Sequence, residues 1–293
     1  MNSELPRVGF DKKKPLDIEV MKLSEMYERI TAKLDHDPFS SHRIDFYLIL
    51  LVTKGTYSHF VDFKTFTLKE GSVLFIAKNQ VHHFTESLKN TEGYFIVIST
   101  KFFEQHYIYS KNLKLYRLYN YHIESPVIHQ VDMGLDDFKG IVSKMYFEYH
   151  FPDTFAKNEI IRHQLHLILL KAERIKHRLP SEILKPRWIE KFTDFKNLLE
   201  KNYVKTRSSR SYASEINISY KLLNDITKSL RGKTTKSFID EFVTTEIKRY
   251  LAATSYTVKE ICYLTGFDEP ANMSKFFKKN TSLTPLQYRN SIN

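Results

Sequence analysis

Between Phe46 and Phe102 the chain alternates short apolar runs with turn residues. FYLILLV, TYSHFVDF, FTLKEGSVLFI and GYFIVIST are rich in β-branched and aromatic side chains, and Lys54-Gly55, Glu70-Gly71 and Lys78-Asn79 punctuate them. Short strands at that spacing predict a small β-barrel or sandwich. The period then changes from two to that of a helix. Phe138, Ile141, Val142, Met145 and Tyr146 form one series, and Ile160, Ile161, Leu165, Ile168, Leu169 and Ala172 form a second after Phe151-Pro152-Asp153. Two antiparallel helices on a β-domain fit this pattern. The second stripe is wide enough to pack on the barrel and still leave an apolar edge, with Leu169 as an outer position, so a homodimer through the helix from about Phe155 to Arg178 is expected.

The stretch from Arg174 to Pro186 is charged and carries Pro180 and Pro186, the composition of a linker. The expected division is a sensor and dimerisation domain over 1–173, a linker over 174–190 and an all-helical domain over 191–293. Inside that last domain the pattern of a helix-turn-helix occurs twice: a scaffold helix, a tight corner that needs a left-handed residue, and a second helix with a polar outer face. In the later copy Val258, Ile261, Cys262 and Thr265 share a face, Gly266 takes the corner, Phe267 plugs it, and Asp268-Glu269-Pro270 starts the next helix. Met273, Phe276 and Phe277 point inward, which leaves Ala271, Asn272, Ser274, Lys275 and Lys278 outside as candidate DNA contacts. In the earlier copy Ala213 and Ile216 are scaffold positions, Asn217 takes the corner, Ile218 plugs it and Ser219 caps a helix that buries Leu222, Leu223 and Ile226. Its outer positions are Lys221, Asn224, Asp225 and Lys228, of which the two lysines and Asn224 are the candidate contacts. The two corners lie 49 residues apart, and Phe238, Phe242, Ile247, Tyr250 and Leu251 mark a helix connecting the units.

Charge strengthens this picture. From Arg187 onward there are 19 lysines and arginines against 11 acidic residues, a net +8, which leaves only +3 of the total +11 for the rest of the chain. A basic domain joined to a nearly balanced one points to a polyanion, here double-stranded DNA. All 12 histidines precede Arg187, so histidine catalysis and histidine-bound zinc are excluded from the basic domain. The single cysteine, Cys262, supports neither an internal disulfide nor a zinc cluster. The longest apolar run, Phe46 to Val52, falls well short of the ~20 residues that span a bilayer, and Met1 to Phe10 lacks a signal-peptide core. A cytoplasmic protein without a membrane partner is expected. No phosphate-binding glycine loop and no G-x-S-x-G elbow occurs, so an enzyme is not expected.

The segment EIKRYLAATSYTVKEICYLTGFDEPANMSKFFKKNTSLTPLQYR, Glu246 to Arg289, resembles the signature of AraC/XylS-type transcription regulators in its GF corner, FFKK helix end and TP-x-x-YR close. YASEINISYKLLNDITKSLRGKTTKSF resembles the family's first, more variable unit, and HRIDFYLILLVTKGTYSHFVDFKTFTLKEGSVLFIAKNQVHHF resembles its cupin-like sensor domain. The fold so implied is α+β, a cupin-like β-barrel with two helices followed by an all-α domain with two helix-turn-helix units. The function implied is effector-responsive control of transcription, with a small-molecule effector in the barrel and RNA polymerase as a further candidate partner. Three departures stand out. Thr265 replaces a usual aliphatic residue, Cys262 a usual alanine, and Asp225 a residue that is often basic or neutral, which sets a phosphate-repelling charge on the first recognition helix.

Metal-dependent cupins bind their ion with two histidines and a glutamate from one motif and a histidine from another. Here Arg43 and Ile44 follow His42, Leu48 stands near the expected glutamate, and only His82 remains of the second motif, so no metal and no cofactor is expected. His42, Tyr47, His82 and Phe84 are the candidate effector contacts, although His82-His83 at a strand end would equally suit packing and hydrogen bonding. Two alternatives to an effector-responsive regulator are a ligand-independent DNA-binding regulator whose β-domain only dimerises, and a metal cupin enzyme.

Overall fold

The computed structural model describes residues 7–10, 16–32, 37–103, 118–122, 125–133, 137–178 and 186–292. The chain forms two compact units, one spanning Pro6–Ser181 and the other built on Glu182–Asn293. In the first, ten strands run as β1 (Arg7–Val8), β2 (Ile18–Lys22), β3 (His42–Ile44), β4 (Tyr47–Lys54), β5 (Thr56–Val61), β6 (Lys64–Lys69), β7 (Val73–Ile76), β8 (Val81–His83), β9 (Glu92–Ile98) and β10 (Val127–Ile128). Its helices are α1 (Leu23–Thr31), α2 (Thr100–Phe103), α3 (Gln130–Met133), α4 (Lys139–His150) and α5 (Lys157–Arg178).

The strands form two sheets, in the orders β1-β3-β8-β5-β6 and β10-β7-β4-β9-β2, and every described pairing is antiparallel except β1 with β3. The apolar pattern explains their positions. Strand β4 is apolar without interruption because both of its faces are buried. Leu48, Leu50 and Val52 join Ile44, Tyr57, Val61, Leu68 and Phe84 in the core between the sheets, whereas Tyr47, Ile49 and Leu51 join the outer core under α4 and α5. Strand β5 alternates instead, burying Tyr57, His59 and Val61 and leaving Thr56, Ser58 and Phe60 wholly or partly exposed, as expected of a strand with one wet face. The turn residues Gly55, Gly71 and Asn79 all adopt left-handed backbone. The strand–helix pair β2–α1, which the apolar pattern did not single out, closes one end of the second sheet by pairing β2 with β9.

Helix α5 differs from expectation in one respect. Ile161, Leu165, Ile168, Leu169 and Ala172 are fully buried in the outer core with Val142 and Met145 of α4, and only Ile160 of the predicted stripe is exposed. Leu169 is therefore not an outer position, because α5 packs against α4 as well as the sheet and its buried arc takes all of the stripe but Ile160. The apolar residues that do face outward are Leu167 and Leu170. The expected linker over 174–190 is helical at both ends, since α5 continues to Arg178 and the next helix starts at Pro186; residues 179–185 lie outside the described residues.

The second unit is all-helical: α6 (Pro186–Asn202), α7 (Ser209–Glu215), α8 (Tyr220–Arg231), α9 (Thr235–Ala253), α10 (Val258–Leu264), α11 (Pro270–Thr281) and α12 (Pro285–Ile292). Helix α9 is its axis, burying Phe238, Ile239, Phe242, Val243, Ile247 and Leu251 among the others. The same helix buries the ion pair of Glu246 with Arg249, and Tyr203 of α6's end donates to Glu246 Oε2 at 3.4 Å.

Three polar rings interrupt the apolar core between the sheets. Tyr57 Oη lies 2.9 Å from His59 Nδ1, and His59 Nε2 lies 3.1 Å from His82 Nδ1. Complete burial pushes the pKa of His59 down from 6.5 to about 3, so the folded chain keeps this ring neutral while the unfolded chain protonates it below about pH 6.5. The unfolded state then binds one more proton, and stability falls as the solution is acidified from about pH 6.5 toward 3. The slope expected from this residue approaches about 1.4 kcal/mol per pH unit. Chemical denaturation of the full chain at a series of pH values should show that slope in the β-rich unit, and His59→Phe should reduce it even if it lowers stability at pH 7. Equal slopes for the two proteins would refute the assignment.

Candidate nucleic-acid interface and ligand cleft

The two helix-turn-helix units close their corners by the same device. Asn217 has φ 56° and Gly266 φ 75°, both left-handed. One residue later the backbone N–H returns to the scaffold helix, Ile218 to Ala213 O and Phe267 to Cys262 O, each at 3.0 Å. Each helix start is prepared by its sequence. Ser219 accepts from Leu222 N at 3.1 Å to cap α8, and Pro270 opens α11. Thr257 and Glu260 form a reciprocal capping box at α10. The TP-x-x-YR close also has a physical role: Thr284 and Gln287 cap α12, and Arg289 donates to Leu251 O and Thr254 O at the end of α9.

Two of the family departures are absorbed locally. The Thr265 hydroxyl donates to Ile261 O at 2.7 Å, and the buried Cys262 Sγ donates to Phe267 O at 3.3 Å, so neither polar group is stranded in the core. The corner at Gly266 is tight. A Cβ there would sit 2.2 Å from Val204 O, besides needing positive φ.

Arg207, which the sequence pattern does not single out, holds this second corner from the segment between α6 and α7. Its guanidinium donates to Thr265 O at 2.7 Å and Gly266 O at 3.3 Å and lies 3.6 Å from the centre of the Phe267 ring. Burial lowers its pKa from the usual arginine value, yet the group stays charged and is compensated by carbonyls and an aromatic face.

On α11, Ala271, Asn272, Lys275 and Lys278 are exposed and Ser274 is half-buried. Their side chains make no hydrogen bond or ion pair among the described residues, and Lys279 extends the exposed basic face. Phe276, expected inside, is half-buried and packs tilted against Phe267 with ring centres 5.3 Å apart. On α8 the picture differs. Lys221 and Lys228 are exposed, but Asn224 Oδ1 accepts from Thr235 N at 3.1 Å and thereby ties the residue to the start of α9. Its placement as a free outer residue is therefore corrected: the end of α8 folds back toward α9, and the amide serves that junction. Leu222, expected inside, is 37% exposed, as is Tyr220 at 42%. Both lie on the outer face of α8, and Leu222 was misplaced because an apolar residue reads as core.

A cleft of about 670 Å³, its open mouth included, lies in the first unit. Its walls are mainly apolar, with Phe10, Met21, Met26, Phe46, Leu48 and Phe95 among them, and its polar groups are Glu19, Arg29, His42 and His82. Three of the four candidate effector residues, His42, His82 and Phe84, line it together. Tyr47 does not. Strand alternation turns it to the other face of its sheet, where it stacks on Phe103 at 4.2 Å and meets Tyr119 at 4.8 Å. Leu48, the next residue, faces the cleft instead.

Two family matches correspond to these two sites. Residues 212–291 match a helix-turn-helix domain, and residues 26–97 match an AraC-like ligand binding domain. No curated protein matches the chain. Among solved structures, unsaturated fatty acid bound ToxT from Vibrio cholerae aligns over 93% of this chain and 94% of its own, at 17% identity and a TM-score of 0.41. An AraC-type transcriptional regulator from Chromobacterium violaceum aligns over 35% of this chain and 92% of its own, at 21% identity and a TM-score of 0.33. The DNA-binding domain of AdpA, solved with a target DNA, aligns over 33% of this chain and 87% of its own, at 18% identity and a TM-score of 0.31. The chain thus carries both parts of an AraC-type transcription regulator, an AraC-like ligand-binding domain followed by a DNA-binding helix-turn-helix domain.

Proposed function

We propose that this regulator reads duplex DNA chiefly through the exposed face of α11, with α8 as a second and weaker reader, and that a small molecule in the cleft controls it. The observation that carries the DNA reading is the repeated corner, two recognition helices held by the same left-handed residue and the same return hydrogen bond. Charge ranks the two helices. Helix α11 offers Lys275, Lys278 and Lys279 with no acidic residue between Pro270 and Thr281, whereas α8 sets Asp225 between Lys221 and Lys228 and commits Asn224 to α9. Lysines on such a face displace phosphate counterions, and Asn272 and Lys275 near the start of α11 are the candidates for base edges.

The cleft's mixture of apolar walls with a few polar groups is the lining that small-molecule sites use. A ligand there changes DNA binding only if it prefers one state of the protein over another. A second copy of the chain is the proposed partner of α5. Ile160, His163, Leu167, Leu170, Arg174 and His177 are exposed at alternating spacings of three and four, a seam of the kind that pairs two helices. Phe147, Phe151 and Phe155, exposed at 64%, 61% and 99%, lie just before it in sequence and extend the apolar surface.

DNA affinity of the full chain should fall steeply with salt, measured by fluorescence anisotropy. Lys278→Ala should weaken all sequences alike, whereas Asn272→Ala or Lys275→Ala should also relax base preference by ~1–3 kcal/mol at the contacted position. Gly266→Val should abolish specific binding, because it forces a β-branched residue into positive φ against Val204 O. Unchanged affinity of the glycine variant, or uniform weakening by all three side-chain variants, would show that the reading face is misassigned.

For the cleft, the decisive experiment is a thermal-shift screen of small molecules against the full chain and against Leu48→Trp, whose indole would fill the cavity. Compounds that raise the melting temperature of the first should leave the second unmoved. Hits that stabilise both proteins equally would place the ligand elsewhere.

The dimer has its own measurement. Sedimentation should show a dimer at micromolar concentration, and the double substitution Leu167→Glu with Leu170→Glu should give a folded monomer with weaker operator binding. A monomeric parent protein, or a double variant that is folded and still dimeric, would eliminate α5 as the interface.

A further inference from the structure

We propose that α6 and the short segment after it form a second brace between the two helix-turn-helix units, and that Lys191 and Arg207, without touching DNA, fix the spacing of the base elements that α8 and α11 read. This deepens the DNA reading and rests on it. The two corners are held alike. Lys191 Nζ, near the start of α6, donates to Ile216 O at 3.1 Å, and the Arg207 guanidinium donates to Thr265 O at 2.7 Å. Ile216 and Thr265 each stand immediately before the left-handed residue of their corner, and each is the C-cap of its scaffold helix, α7 or α10. Carbonyls at a helix end lack an intrahelical partner and carry the negative end of the helix dipole, so a cation is the fitting donor.

The two cations belong to the two ends of one stiff element. Helix α6 has 17 residues, a length of about 25 Å. Beyond it the chain stays ordered by its own hydrogen bonds. Lys205 N and Thr206 N both donate to Asn202 O, at 2.9 and 3.0 Å, Thr206 O accepts from Tyr212 Oη at 2.7 Å, and Ser208 caps α7. The same segment sets Val204 O against Gly266 and lays Arg207 over two rings, Phe267 at 3.6 Å and Phe276 of α11 at 5.6 Å. Along its length α6 packs on α9, with Phe192 and Phe238 5.1 Å apart and Tyr203 and Phe242 5.5 Å apart.

A single connecting helix would leave each unit free to turn about its joint to α9, at the left-handed Gly232 on one side and at residues 254–257 on the other. A second strut that touches both corners removes that freedom. Two heads at fixed separation read their elements in fixed phase along the major groove. One added base pair moves an element by about 3.4 Å and turns it by roughly 35° about the duplex axis. A hinged pair of heads follows that change, and a braced pair loses one of its two sets of contacts. Lys191 and Arg207 act through the corners and not through the DNA, so they are positioning residues.

The test uses the full chain and the duplex that it enriches from a random library, with one base pair inserted between the two elements or with the α8 element scrambled; Asn272→Ala and Lys275→Ala identify which element belongs to α11. Fluorescence anisotropy should show that the insertion weakens the parent protein at least about tenfold. Lys191→Met and Arg207→Met keep the apolar stems and remove the donors. Each should weaken the intact duplex by roughly two- to tenfold, the worth of a lost hydrogen bond, and leave the scrambled duplex within about twofold. The insertion penalty of the double variant should fall below about threefold, and Arg207→Lys, which restores a cationic donor, should recover part of it. A folded double variant that keeps the full penalty while weakening every duplex alike would overturn the brace in favour of a phosphate contact or a merely local role. A parent protein indifferent to the insertion would overturn it while leaving the DNA reading intact, and failure to enrich any sequence would refute both. Should the methionine variants not fold, spin labels on Lys221→Cys and Lys278→Cys in the DNA-free chain, diluted with unlabelled protein and with the native Cys262 buried, give the decision. One narrow separation is expected, and a broad distribution would eliminate the brace.

Discussion

The DNA-binding unit depends on one backbone constraint applied twice. A helix-turn-helix must reverse direction within three or four residues, and the chain does this by placing one residue in left-handed backbone so that the next N–H reaches back to the scaffold helix. Asn217 and Gly266 meet that requirement in different ways. Asparagine tolerates left-handed backbone and has room for its side chain, whereas at Gly266 the carbonyl of Val204 occupies the space where a Cβ would go. The second corner is consequently the more constrained. Arg207 adds to that constraint by taking up the two carbonyls that the corner exposes and by covering Phe267. Rigidity there matters because base recognition requires the outer side chains of α11 to be held in place by the scaffold rather than by the DNA.

The sensor unit rests on a different constraint, a sheet with no wet face. Strands β4, β7 and β9 give one set of side chains to the core between the sheets and the other to the core under α4 and α5. Changing the apolar bulk of either core therefore acts on the same strands. The cleft opens into the core between the sheets, and the Tyr57–His59–His82 chain is the polar feature of that core. Buried polar groups of this kind cost stability unless they are hydrogen-bonded, and the contacts of Tyr57 with His59 and of His59 with His82 offset part of that cost.

Much of this was legible in the sequence, for identifiable reasons. Helix termini and corners are local: Asn217, Ser219, Gly266 and Pro270 act on backbone groups within a few residues, so residue type and spacing suffice to place them. Strand β4 and the alternating β5 were legible because burial on two faces or one leaves a direct imprint on apolar periodicity. What local pattern could not reveal was which apolar residue would be covered. Leu169 and Leu167 are equally apolar and two residues apart, yet the first is buried in the outer core and the second is exposed, since the width of the buried arc depends on how many neighbours a helix has. Leu222 on α8 was misjudged for the same reason.

The sequence by itself determined the two-part plan, the tandem helix-turn-helix, the basic character of the DNA-reading unit and the residues that cap and turn its helices. Tertiary structure alone decided that Asn224 serves α9, that Arg207 pins the second corner, that Tyr47 faces away from the cleft while Leu48 faces into it, and that His42, His59 and His82 form one cluster. These depend on contacts between residues far apart in the chain, such as Arg207 with Thr265 and His59 with His82. A side chain's role in such a contact is set by the geometry that brings the two segments together, and that geometry leaves no mark on either segment alone.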